Sequence, residues 1–292
     1  MKILITGARG QLGSEIYNML INKESEVGCI SENLTEGEIL PLGLEELDIV
    51  NLDSVREVLY KERPNIVINC AAYTNVDGCE ENYDLAFKVN AIGPRNLAIV
   101  CNEIDAKLVS ISTDYVFKGD GVVPYKECDI NNPISAYGKT KLLGENYVRE
   151  FCSKYFIVRT SWLYGVDGHN FVKTIIKAAK EKGVLNVVND QRGNPTNAED
   201  LAFHILKLMD TEEYGIYHCT GEGECTWYDF AKEIVELSEI KCEVHPITSG
   251  ELNRAAKRPE FSSLDNMMLR CTIGNEMRPW KEALKSYISR MK

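Results

Sequence analysis

The chain opens on Lys2-Ile3-Leu4-Ile5-Thr6-Gly7-Ala8-Arg9-Gly10-Gln11-Leu12-Gly13. The first five residues are a short apolar run suited to a buried parallel strand. Ser14-Glu15-Ile16-Tyr17-Asn18-Met19-Leu20 follows with helical character. The three glycines between them each have a use. Gly7 makes the tight turn, Gly10 lets the backbone approach a pyrophosphate, and Gly13 lets the helix pack on the strand. The helix N-terminus offers unpaired N–H groups and a positive dipole end to phosphate. An ordinary glycine-rich turn is the competing reading, but strand, loop and helix all stand in place here. The stretch predicts a dinucleotide site touched by Gly7, Arg9, Gly10, Gln11, Leu12 and Gly13.

The same alternation continues outward. Apolar runs at 2–6, 26–30, 65–70, 107–112 and 155–160 read as strands, and 11–22, 52–62, 83–104 and 135–150 read as helices. This order predicts an α/β fold, a Rossmann-like doubly wound parallel sheet covered on both faces. Past residue 165 the pattern loosens. Residues 170–182 and 226–237 look helical, between loops rich in Gly, Asn and Pro. The expected division is a cofactor domain over 1–165 and a smaller C-terminal substrate-binding domain over 166–292. The boundary is soft, and one later segment has room to return to the sheet.

Composition narrows the partners. A chain of 292 residues can bury a substantial core. Its net charge of −11 disfavours nucleic acid and anionic membrane. A diphosphate must therefore be met by local donors. No apolar run approaches the roughly 20 residues that span a bilayer, and Thr6-Gly7 ends the first run too soon for a signal peptide. The ten cysteines form no Cys-x-x-Cys pair. They read as free thiols of a reducing cytoplasm. The four histidines are too scattered for a zinc site, and His218 and His245 belong in or near strands.

Tyr137-Gly138-Lys139-Thr140-Lys141 carries the chemistry. A tyrosine and a lysine four residues apart share one helix face. A neighbouring ammonium favours the phenolate, so the phenol can give a proton to a carbonyl near neutral pH. Trp162 ends a strand on the carboxyl edge of the sheet, where ligands bind in such folds; a core tryptophan is the alternative. Arg258 has the guanidinium geometry that suits a diphosphate, with a surface salt bridge as its equal competitor. Two signals disagree about the cofactor. Glu32 stands about 20 residues past the glycine loop, as a carboxylate on a ribose 2′-hydroxyl would, which favours NADH. Arg9 could instead meet a 2′-phosphate, which favours NADPH. Dual use accommodates both.

The Gly-x-x-Gly-x-x-Gly spacing resembles the extended short-chain dehydrogenase/reductase family. The resemblance runs on through Asn69-Cys70-Ala71-Ala72-Tyr73-Thr74, Asn90-Ala91-Ile92-Gly93-Pro94, Ser110-Ile111-Ser112-Thr113-Asp114-Tyr115 and Tyr125…Tyr137. It implies Tyr137 as proton donor, Lys141 on the nicotinamide ribose and Thr113 on the substrate carbonyl. It also implies cofactor contacts at Asp48, Ile49, Ala71, Ala72, Tyr73, Thr74, Asn90, Ile111 and Ser112. Tyr73 departs from the histidine often found there, which implies tuning and not loss of activity. Arg159-Thr160-Ser161-Trp162, Asn170-Phe171, Asp190-Gln191-Arg192-Gly193-Asn194-Pro195, Thr226-Trp227-Tyr228-Asp229 and Arg258-Pro259 resemble the members that act on dTDP-sugars. That implies substrate contacts at Thr113, Asp114, Tyr137, Trp162, Asn170, Gln191 and Arg258. The implied reaction reduces the C4 ketone of a dTDP-linked 4-keto-6-deoxyhexose to dTDP-L-rhamnose.

Two rivals follow from the same resemblance. One is another reductase, dehydratase or epimerase of nucleotide sugars. Dehydratases carry Thr-Asp-Glu where this chain has Thr113-Asp114-Tyr115, so the eliminating glutamate is missing. The other is a regulatory subunit of a methionine adenosyltransferase, since one relative of these enzymes has that role. Some members form homodimers through a magnesium ion held by acidic side chains. Glu15, with Glu199 or Asp200, falls at or near those positions, and carboxylates suit magnesium.

Overall fold

The structure, a computed structural model, describes residues 1–252 and 254–291. Its main sheet holds β1 (Lys2–Thr6), β2 (Glu38–Leu42), β3 (Ile66–Asn69), β4 (Lys107–Thr113), β5 (Tyr155–Thr160) and β6 (Gly215–His218). The strands lie in the order β6-β5-β4-β3-β1-β2, and every neighbouring pair is parallel. The order reverses between β1 and β3, so the crevice for a ligand opens at their carboxyl ends. The larger helices are α1 (Gln11–Asn22), α2 (Leu52–Glu62), α3 (Gly93–Glu103), α4 (Ala136–Phe151), α5 (Phe171–Lys182), α6 (Ala198–Met209), α7 (Trp227–Leu237) and α8 (Trp280–Met291).

Strand residues alternate between two cores, as a period of two requires. Ile3, Ile5, Ile66, Ile68, Val109 and Val158 join α1 and α6 on one face. Leu4, Val67, Leu108 and Ile157 join α2, α3 and α4 on the other. Inner strands buried on both sides read as continuous apolar runs, which is why β1, β3, β4 and β5 are legible in the sequence.

The second strand corrects one expectation. Residues 26–30 form no strand; β1 pairs instead with Glu38–Leu42, from Lys2↔Glu38 to Thr6↔Leu42. The apolar character of 26–30 serves packing, since Val27 and Ile30 lie against the α1/α6 core. Gly28 sits so close to Phe203 that a Cβ there would come within 2.9 Å of its ring. The true strand is masked by Pro41, which lowers strand character yet is tolerated on an edge strand.

Beyond residue 165 the chain crosses the expected division twice. The helix α6 packs on α1, and β6 adds to β5 at the sheet edge. The rest builds a second core from Tyr164, Val172, Ile175, Phe230, Ile234 and Trp280. A parallel ladder, Val184–Val188 with Glu243–Ile247, closes it. His218 and His245 thus lie in strands. All ten cysteines are free. Among the described residues no helix is long and apolar enough to cross a membrane.

Candidate active site

The glycine loop forms a cradle with no room for side chains. Gly7 has φ +62°, and a Cβ on it would lie 2.7 Å from the Ala71 nitrogen. A Cβ on Gly13 would lie 2.7 Å from the Ala8 Cα. Gly10 is the N-cap residue of α1 and makes no side-chain bond there. Its N–H donates to the Gly7 carbonyl at 2.9 Å. These close approaches leave a backbone concavity at a helix N-terminus, which fits a dinucleotide pyrophosphate.

A cavity of about 440 Å³ opens beside the cradle. Its walls include Gln11, Ala71, Thr113, Tyr137, Lys141 and Trp162. Gly10, Leu12, Gly13, Ala72, Thr74, Ile111, Ser112 and Asp114 line it as well. The expected reactive trio therefore meets the expected cofactor loop in one hollow. Two other hollows, of about 530 and 770 Å³, flank the 25–31 loop away from Tyr137; they hold no such trio.

Burial sets the proton affinities. Tyr137 is pushed above its ordinary value by desolvation, with the Thr113 hydroxyl working the other way. Lys141 is pulled down to about 8, again chiefly by burial, while Glu145 and Cys70 raise it. Its ammonium donates to the Ile111 carbonyl at 2.6 Å. The sequence expectation that the lysine would lower the tyrosine differs from this arrangement: burial dominates Tyr137, and the group that lowers it is the Thr113 hydroxyl, not Lys141. The Thr113 hydroxyl donates to the Asp114 carboxylate at 2.9 Å and accepts from the Tyr115 N–H at 3.2 Å. Asp114 is buried and pushed up to about 6 by desolvation. Its Oδ2 has no hydrogen-bond partner, leaving an acceptor for a ligand hydroxyl.

Several expected contacts act at one remove. Asn90 sits in a π-turn (Lys88–Ile92) before α3, a feature common at functional sites. It accepts from the Tyr73 N–H at 2.8 Å and donates to the Tyr73 carbonyl at 3.0 Å. It thereby holds the 71–74 loop against α4, where it also reaches Thr140 at 3.3 Å. The Tyr73 ring packs with Tyr137, Cys79 and Ala136. Ile49 is buried where a Cβ on Gly93 would strike it, and Asp48 is exposed, capping its own turn through Val50.

Four expected site residues do not line this hollow, although Arg258 stands close enough to act on the wall residue Tyr115. Glu32 starts a short helix, Glu32–Thr35, before β2 and not at the end of a strand. The carboxyl end of β2 is held instead by Glu46, which accepts from Gly43 at 2.8 Å and from Arg9 at 2.5 Å. Asn170 caps α5, accepting from Lys173 at 3.0 Å, and donates to Gln11 at 3.1 Å and Gly165 at 2.8 Å. Gln191 is buried away from the cavity walls. Arg258 is paired with Asp77 at 2.7 and 3.1 Å, so the salt-bridge reading holds for it in this structure.

The acidic trio does not fit magnesium. Arg290 lies 3.1 Å from Glu199 and 3.5 Å from Glu15, and Arg278 lies 2.5 Å from Asp200. Each of these acids is paired with a guanidinium of the same chain. No metal-binding cluster occurs among the described residues.

Two wall residues escape a reading of spacing alone. Trp227 stacks on Trp162 with ring centroids 3.5 Å apart and planes 8° off parallel. Its place at the start of α7 is signalled by the Thr226/Asp229 capping box, but nothing local says which tryptophan it meets. Trp162 has φ +46°, a conformation that costs on the order of 1–3 kcal/mol and clusters at ligand sites. The second is Tyr115, whose ring meets Tyr137 edge-on at 5.7 Å.

Comparison with known proteins agrees with this geometry. The RmlD substrate binding domain family matches residues 1–292. A dTDP-4-dehydrorhamnose reductase of Aggregatibacter actinomycetemcomitans is 38% identical over 98% of this chain and 97% of its own length. The crystal structure of a dTDP-4-dehydrorhamnose reductase from Clostridium acetobutylicum is 52% identical and superposes with a TM-score of 0.94, covering 100% of this chain and 99% of that one. The Bacillus anthracis dTDP-4-dehydrorhamnose reductase in complex with NADP is 42% identical, with a TM-score of 0.92 and 99% coverage of both chains. The chain belongs to the RmlD substrate binding domain family.

Proposed function

We propose that this member of the RmlD family is an NAD(P)H-dependent reductase that converts dTDP-4-dehydro-L-rhamnose to dTDP-L-rhamnose. One observation carries the reading: Thr113, Tyr137 and Lys141 line the same hollow as the glycine cradle, with Trp162 also in its wall. The backbone from Gly7 to Gly13 would hold a nicotinamide cofactor, which when bound would supply the hydride for C4. Tyr137 gives the proton to the developing C4 alkoxide, so ketone, hydride and proton balance as an alcohol. Thr113, turning its one hydroxyl proton from Asp114, donates a hydrogen bond to that oxygen, where charge develops in the transition state. Lys141, charged below about pH 8, holds the cofactor ribose and favours the phenolate left behind. The Trp162/Trp227 stack walls the sugar side from water. The orphan Asp114 oxygen takes a sugar hydroxyl.

Arg9 favours NADPH. It reaches the end of β2, where the adenine ribose of such folds lies, and Glu46 is its only carboxylate partner among the described residues. The reaction is tested by making the keto-sugar in situ and following NADH and NADPH oxidation separately. Oxidation of NADPH, with NADH slower, is expected. Turnover only with a different nucleotide-linked ketose would overturn the substrate assignment and keep the reductase. No carbonyl reduction at all would leave the regulatory-subunit reading in its place.

A further inference from the structure

Behind the reactive trio lies a buried ion pair that the reaction itself does not use. Glu145 stands one helical turn after Lys141 on α4 and is 4% exposed. Its carboxylate accepts from Arg159 Nε at 2.9 Å and from Arg159 Nη2 at 2.7 Å. It also accepts from the Ser112 hydroxyl at 2.5 Å. Ser112 and Arg159 are register partners on β4 and β5. Arg159 is 1% exposed, lies over the Phe117 ring at 5.2 Å and reaches Asn131 at 3.2 Å and His218 at 3.4 Å. One carboxylate thus joins α4, which carries Tyr137 and Lys141, to β4, which ends at Thr113, and to β5, which ends two residues before Trp162.

We propose that Glu145 is a positioning residue of the reductase: held by Arg159, it fixes the end of β4 against α4 and keeps the Lys141 ammonium charged during turnover. This rests on the function proposed above. Removing one partner of a buried pair leaves the other uncompensated, so this pair ties α4, β4 and β5 to one arrangement.

The groups around Lys141 make the charge argument specific. On its own helix are Tyr137, pushed up by burial, and Glu145. Past β3 stands Cys70, pushed up to about 12. From the 76–81 helix come Cys79, pushed up to about 11, and Glu80, which accepts from the Ala136 N–H at 2.8 Å. After β4 come Asp114, at about 6, and Tyr115, pushed up by burial. Arg159 faces Glu145 from β5, and on β6 His218 is pulled down to about 3 and stays neutral. Between pH 7 and 9, Lys141 is the group of this set that changes charge, and the Glu145 carboxylate does more than the Cys70 thiol to hold its proton on.

The test is Glu145→Gln, which keeps the shape and removes the charge. The pH profile of kcat and the ¹³Cε shift of Lys141 are both followed; the NMR signal is assigned by its loss in Lys141→Arg. The alkaline limb and the NMR midpoint should both move down by about one pH unit, with kcat at pH 7 about tenfold lower. Ser112→Ala keeps both charges, so it should lower kcat and leave the limb in place. If Glu145→Gln does not fold, Glu145→Gln/Arg159→Met removes the pair as a neutral couple, and a smaller shift in the same downward direction is expected, because the Arg159 charge is lost as well. A limb and an NMR midpoint at their wild-type positions in the folded variant would overturn the proposal and leave a purely structural pair. The NMR reading needs no substrate, so wild-type protein that reduces no keto-sugar would sink the proposed function separately.

Discussion

The two ends of the dinucleotide cradle differ in almost every physical respect. At the β4 end, Thr113, Tyr137 and Lys141 line the floor of a hollow, and burial shifts both titrating groups away from their ordinary values. At the β2 end, Arg9 and Glu46 meet in solvent, with side-chain exposures of 68% and 39%. One strand is central and covered on both faces; the other is the edge of the sheet. Chemistry needs the first setting, because fixed dipoles and shifted proton affinities count for more where water is excluded. Choosing between two cofactors needs only a charge within reach of a ribose. The edge strand can therefore hold a proline, a short run and a solvated ion pair without harm to the reaction.

The contrast is broken most severely at Tyr137. Replacing Tyr137 by Phe keeps the ring in its cluster but removes the proton, so kcat should fall at least about a hundredfold. NADPH affinity, read from cofactor fluorescence, should stay within about twofold. Retention of more than half the wild-type turnover would remove Tyr137 from the proton step.

The pH dependence comes next. Burial depresses Lys141 to about 8, so the side chain is charged below that pH and neutral above it. Turnover at saturating substrate should hold from neutrality to about pH 8 and then drop about tenfold per pH unit. A profile flat to about pH 10 would show that the ammonium plays no part.

The exposed end should give smaller and more selective effects. Arg9→Ala should raise KM for NADPH about tenfold and leave KM for NADH within about twofold. Equal changes for both cofactors would mean that Arg9 reads something other than a 2′-phosphate. Smallest of all is Glu32→Ala. The carboxylate precedes β2 on its own short helix, so KM for either cofactor should shift by less than about twofold. A selective loss of NADH use would bring Glu32 back to the ribose.

Much of the fold and part of the site are written locally. The glycine loop, the apolar runs of β1, β3, β4 and β5 and the helical face shared by Tyr137 and Lys141 all rest on spacings of two to five residues. Such spacings are set by backbone geometry, so the sequence by itself determined four of the sheet's strands, the glycine loop and the helix face that Tyr137 shares with Lys141. Other features join residues far apart in the chain, and only the tertiary structure decided them. Trp227 covers Trp162, Asp77 takes Arg258, and Arg290 and Arg278 occupy the acidic trio. Glu145 meets Ser112 and Arg159, and β2 begins at Glu38 and not at Glu26. No local period reports a contact of that kind. An arginine reads the same in sequence whether it faces a substrate phosphate or a carboxylate of its own chain. Which partner it finds depends on how the layers pack and on the cost of leaving a charge unpaired once they have.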